Sequence, residues 1–179
     1  MASLMDLVTT LKIIINATAS KTVGLIAGSG PLSSTFKVTM ADGSSTSQAD
    51  SIYTVNSTIS SGANTTIDLL GALSTVFGDT LNFAKVKAIF IRNNTAVTGA
   101  TLIVGGAASN AFSGPWADSS DKSNVEPTGA DSDAIWGLVQ INPGTGWTVD
   151  ATHQNLKIEH DASDSNDITY DIVIIGTST

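Results

Sequence analysis

The stretch FAKVKAIFIR, residues 83–92, reads as a β-strand. Phe83, Lys85, Lys87, Ile89 and Ile91 alternate with Ala84, Val86, Ala88, Phe90 and Arg92. Side chains two apart on a strand share a face, so the two sets are expected on opposite faces of one strand. Asn93-Asn94 and Thr98-Gly99 bracket a turn into Thr101–Val104, which stops at Gly105-Gly106. The two runs are therefore expected to pair as a hairpin.

The same rhythm extends in both directions. Leu11–Ile15 and Thr22–Ile26 are short apolar runs, the second ending at a predicted turn, Gly28-Ser29-Gly30-Pro31. Thr35–Met40 alternates up to Asp42-Gly43, a turn pair. Ile52–Ile59 carries apolar groups on both faces, which predicts cover on both sides. Beyond residue 133, Ala134–Ile141, Trp147–Val149, Leu156–His160 and Ile168–Ile175 complete the strands, with Asn142-Pro143-Gly144 as a turn. Between them, residues 110–133 form a long irregular connection rich in Gly, Pro and Asp.

One segment departs from period two. Leu69, Leu70, Leu73, Val76 and Phe77 recur at spacings of three and four. Asp68 suits an N-cap and Gly78 a C′ position, so a short helix is expected, or else a loop that buries its leucines. The sum is an all-β chain: an antiparallel β-sandwich or jelly roll with one short helix. Residues 1–10 form an N-terminal arm and residues 11–179 a single domain.

Composition narrows the function classes. Charged residues are 13% of the 179, against 41% hydrophobic, and the net charge is −8. Eight scattered basic residues are too few for a phosphate-binding stripe, so no nucleic acid is expected as a partner. With no cysteine there is no disulfide, thiolate metal site or cysteine nucleophile. No stretch approaches the roughly 20 apolar residues of a membrane helix, and residues 1–6 lack the basic start of a signal peptide. No membrane partner is expected, and the chain reads as made in a cytosol and kept there or built into a particle.

No constellation for catalysis emerges. A hydrolase triad needs a base, and the two histidines, His153 and His160, read as surface residues away from any nucleophile elbow. The run from Asp161 to Asp167 has the oxygen-rich composition of a calcium loop, but Asn166 and Ile172 stand where a glycine and a bidentate glutamate belong. It reads as a solvated turn, as does the patch of Asp118, Asp121, Asp131 and Asp133. Glu126 and Glu159 form no evident pair for glycoside chemistry. Catalytic, cofactor-binding and metal sites are accordingly expected to be none. Trp136 reads as core. Trp116, following Ser113-Gly114-Pro115, is either an exposed binding anchor or the aromatic that tucks its own loop under.

Residues 68–73 (DLLGAL), 77–95 (FGDTLNFAKVKAIFIRNNT), 102–112 (LIVGGAASNAF) and 170–176 (YDIVIIG) resemble small virion structural proteins encoded by tailed bacteriophages. The resemblance covers about half the chain and holds no catalytic motif. It implies a particle component assembled in the host cytoplasm, namely a head decoration (cement) protein of β-sandwich type. Such proteins sit as trimers on the lattice of the major capsid protein. The alternative left open is a receptor- or carbohydrate-binding sandwich on a tail or head fibre. The residues expected to make protein contacts are Leu4, Met5, Leu7 and Val8, an apolar stripe in the arm, together with Trp116. The competing reading of the arm is an edge strand or short helix added to its own domain.

Overall fold

The structure, a computed structural model, describes residues 7–23, 26–71, 73–75, 77–95, 97–126, 136–162 and 165–178. The chain is all-β, and its named strand pairs are antiparallel. Strands β1 (Thr9–Val23) and β2 (Ile26–Met40) make a two-stranded sheet. β3 (Ser51–Ile59), β7 (Phe83–Asn93), β10 (Trp136–Ile141) and β13 (Ile168–Ser178) form a second sheet in the order β10-β7-β13-β3. β11 (Trp147–Thr148) joins that sheet by also pairing with β7. β4 (Asn64–Asp68), β8 (Leu102–Gly105), β9 (Lys122–Val125) and β12 (Asn155–His160) form a third, in the order β4-β12-β8-β9. β5 (Leu73–Ser74) and β6 (Thr80–Leu81) are a small ribbon.

The second and third sheets face each other as a sandwich. Alternation explains how. On β13, Ile168, Tyr170, Ile172 and Ile174 are buried while Thr169, Asp171 and Val173 are only half-buried. On β12, Leu156, Ile158 and His160 point inward. These residues meet Phe83, Val86, Ile89 and Ile91 of β7 and Leu102 and Val104 of β8 in one core. Each fully buried aliphatic or aromatic side chain stabilises the fold by about 1.5–3 kcal/mol.

The phase of β7 is not the unbroken one expected. Val86 faces the core, as Ile89 does, although unbroken alternation would put them on opposite faces. The register supplies the reason: Ile175 pairs with Ala88 and Gly176 with Val86, leaving Lys87 as the extra residue of a β-bulge. Lys87 is buried, and its ammonium donates to the Gly144 carbonyl in the 142–146 turn. Burial, followed by the nearby charge of Lys85, lowers its pKa. Gly176 fits the bulge because a Cβ there would lie 2.1 Å from the Lys85 carbonyl oxygen.

Four further expectations need correction. β7 and β8 do not pair with each other; the connection after Asn93 carries the chain from one sheet to the other. No helix forms among the described residues of 67–77. Ile67 and Asp68 pair with Leu156 and Asn155 in the third sheet, and the Asp68 carboxylate accepts the Leu70 N–H at 2.9 Å. This is the bond of an Asx turn, two residues on, and it reverses the chain instead of starting a helix. Gly28, Ser29, Gly30 and Pro31 lie within β2 because each has a partner on β1. His160 is fully buried, since it continues the inward face of β12, and its Nε2 lies 2.8 Å from the Asn166 carbonyl oxygen.

Candidate interaction surface

The β1–β2 ribbon has two chemically different faces. Residues directly opposite in an antiparallel pair share a face. Leu11 pairs with Val38, Ile13 with Phe36, Ile15 with Ser34 and Ala17 with Leu32, which makes one face apolar. Lys12 pairs with Lys37, Ile14 with Thr35 and Asn16 with Ser33, which makes the other mainly polar; there the Ser33 hydroxyl donates to Asn16 Oδ1 at 2.9 Å.

The apolar face begins buried and ends exposed. At its root, Leu11 and Met40 pack with Ala49, Ala88 and Ile175 in a small cluster outside the main core. Two pairs further out, Ile13 is 44% and Phe36 60% exposed, and Leu32, opposite Ala17, is 65% exposed. Nothing in the described chain covers them. Large apolar groups contiguous on one solvent-facing ribbon are the usual mark of a surface that meets another molecule.

The root cluster lies on the outer face of the β10-β7-β13-β3 sheet. Ile141, Ala88, Ile175 and Ile52 form one cross-strand row there, and the hairpin root covers it. The expected double-sided cover of β3 holds only at its start: Ile52 packs outward while Tyr53 and Val55 pack on the main core, and Thr54, Asn56 and Thr58 on the outer face are exposed. The next row, Val139, Phe90 and Val173, is only partly covered, and Val139 is 47% exposed. A groove of about 250 Å³ opens over this row, with Gly137 in its lining. Arg92, Asp171 and Asn56 form the polar row beyond it. Asp171 accepts from Asn56 Nδ2 at 2.7 Å, from Asn94 Nδ2 at 3.0 Å and from Arg92 at 2.5 Å. The amides of Asn56 and Asn94, and then the guanidinium, hold its carboxyl below the usual range.

Charge is divided between the ribbon and the body. Residues 7–41 carry three lysines and no acidic residue; residues 42–179 carry five basic and fifteen acidic residues.

The expected contact residues fall as follows. Leu4 and Met5 lie outside the described residues. Leu7 packs at the hairpin root, and Val8 is exposed beside it. β1 then runs well past residue 10, so the apolar surface extends far beyond the arm as first bounded. Trp116 follows the second of its two readings: its ring packs on the main core, and its Nε1–H donates to Ser123 Oγ at 3.0 Å. The side chain of Trp136, with Asp131 and Asp133, lies outside the described residues.

The oxygen-rich and titratable groups sit apart. Asp118 accepts the Ser120 N–H and hydroxyl, which lowers its pKa. Asp150 binds the hydroxyl and N–H of Thr152 and the ring of His153, and these bonds bring its pKa down to about 2. Glu159 pairs with Lys157 at 2.6 Å. Among the described residues, no three of His, Asp and Glu gather closely enough to hold a metal ion. A second cleft of about 260 Å³ is lined by Tyr53, Tyr170, Thr66 and Asp68. Burial raises the pKa of both phenols, so both stay protonated at neutral pH.

No protein-family model matches the chain, and neither a curated protein nor a solved structure matches it.

Proposed function

We propose that this chain is a structural subunit of a bacteriophage particle. It works by packing against copies of itself and against a larger protein lattice, as a capsid decoration (cement) protein does. The observation that carries the packing role is the exposed apolar face of the β1–β2 ribbon, continuous at its root with a buried cluster. A two-stranded hairpin is marginal in water, so a ribbon of this length gains most of its stability from whatever covers that face. The phage assignment rests on the resemblance of residues 68–112 and 170–176 to virion proteins. A decoration subunit adds buried area across joints between capsid subunits, and symmetric repetition multiplies modest contacts. The reading assigns the chain no reaction.

The test is cosedimentation of the purified chain with empty capsids of the phage that encodes it. Saturable, salt-resistant occupancy supports the reading. A chain that stays monomeric and ignores capsids sinks it.

A receptor- or carbohydrate-binding module is the second reading, and the Tyr53–Tyr170 cleft favours it. The half-buried Tyr53 ring, the Asp68 carboxylate and the Thr66 hydroxyl line it, groups of the kind that hold sugars, while Tyr170 closes its buried side. Binding of host cells or glycans by the isolated chain, without capsid occupancy, would carry this reading instead.

A further inference from the structure

We propose that the hairpin of one copy docks its apolar face onto the outer face of the β10-β7-β13-β3 sheet of a second copy, with Phe36 over the groove at Val139, Phe90 and Gly137. The inference rests on the self-packing reading above and names the two surfaces that meet. Both are apolar, and among the described residues the hairpin face is uncovered and the groove row only partly covered. The hairpin root already sits on this sheet face, over the row of Ile141, Ala88 and Ile175, so the docking would continue a contact the fold itself makes. The same hairpin does not supply that continuation, because residues 12–18 and 29–37 are exposed on both of its faces.

The dimensions agree. Ile13 to Thr18 spans roughly 20 Å at strand rise, and four strands at sheet spacing are roughly 15–20 Å across. Charge selects between two ways of joining copies. Hairpin against hairpin would bring together segments that each carry three lysines and no acid. Hairpin against body brings that segment to the part of the chain, residues 42–179, in which acids outnumber bases fifteen to five, while at the groove itself Arg92 and Asp171 pair with each other. Hairpin and groove are different surfaces, so the contact is heterologous. It closes as a reciprocal pair or as a ring.

The absence of cysteine makes the test clean. Phe36→Cys and Val139→Cys are made in separate full-length chains, both at exposed positions where the fold tolerates change. The two are mixed, oxidised mildly and read by mass spectrometry, beside sedimentation of the unmodified chain. The expected product is a disulfide joining position 36 of one chain to position 139 of the other, in most molecules. A 36-to-36 disulfide alone would overturn the docking in favour of hairpin against hairpin. An oligomer with neither disulfide would overturn it while leaving self-packing intact. A monomer would remove both. In a chain carrying both substitutions, a disulfide closed within one molecule would show the hairpin folding back on its own sheet, which also overturns the proposal.

Discussion

Ile13 and Phe36 stand directly opposite each other on the β1–β2 ribbon, and both are exposed although the preceding pair on the same face, Leu11 and Val38, packs at the hairpin root. The ribbon is therefore anchored at one end and uncovered beyond it. Its backbone hydrogen bonds past Lys12 are protected by only two strands. Amide hydrogen exchange should show this: fast in Ile13–Thr18 at high dilution, and slowed when concentration favours association. Equal protection at all concentrations would mean the ribbon is stable without a partner.

Leu69 and Phe77 separate the turn from the helix expected over the same residues. Leu69 is fully buried and Phe77 is 74% exposed. Leu69→Ala should cost about 2–5 kcal/mol by urea unfolding. Phe77→Ser should stay within about 0.5 kcal/mol. A large loss from Phe77→Ser would restore a packed helical face.

Asn93 holds the crossing between the sheets. Its buried side-chain amide donates to the Ala100 carbonyl at 2.8 Å and the Val125 carbonyl at 3.3 Å, and its Oδ1 accepts the Thr95 N–H at 2.9 Å. Asn93→Ala leaves buried backbone groups unpaired, and a loss of about 1–3 kcal/mol is expected from thermal or urea unfolding. A neutral result would show that other groups or water satisfy those carbonyls.

Asp150 gives a pH signature. Its folded pKa of about 2 lies below the ordinary carboxylate value of 3.8. A carboxyl lowered on folding favours the fold above its unfolded pKa, and that contribution fades as pH falls through the folded value. Asp150→Asn should therefore be less stable than the parent at pH 7, and the two should converge as the pH falls from about 4 to 2. A gap that persisted unchanged below that window would assign the difference to shape instead of charge.

Much of the sandwich was legible because its strands carry their own pattern. β3 and β13 alternate over long runs rich in β-branched residues, β12 alternates apolar with charged residues, and burial follows the alternation. β4 and β9 were not legible. NTTID and KSNV are short and polar, and only the pairing with β12 and β8 makes them strands. The same holds for Gly28–Pro31, whose turn residues are held extended by β1; a two-stranded ribbon has only edge strands, where proline is tolerated. The bulge at Lys87 turns Val86 to the core face, a second register shift between Lys85 and Phe83 returns Phe83 to it, and local alternation carries no sign of either.

The interaction surface was half legible. The apolar content of the N-terminal region pointed to a contact, but toward Leu4–Val8. Ile13, Leu32 and Phe36 were visible in the sequence as strand residues like any others. What makes them a surface is that their sheet stops at two strands, and that is a property of long-range pairing.

Sedimentation velocity on the full chain bears on self-packing most directly, run beside a variant carrying Ile13→Ser and Phe36→Ser. The parent should associate in the micromolar range, and the variant should remain folded with association weakened by at least about tenfold, the equivalent of 1.4 kcal/mol. A parent chain that sediments as a monomer at every concentration, or a variant that associates as the parent does, would mean that the exposed face of the ribbon is not what joins the copies.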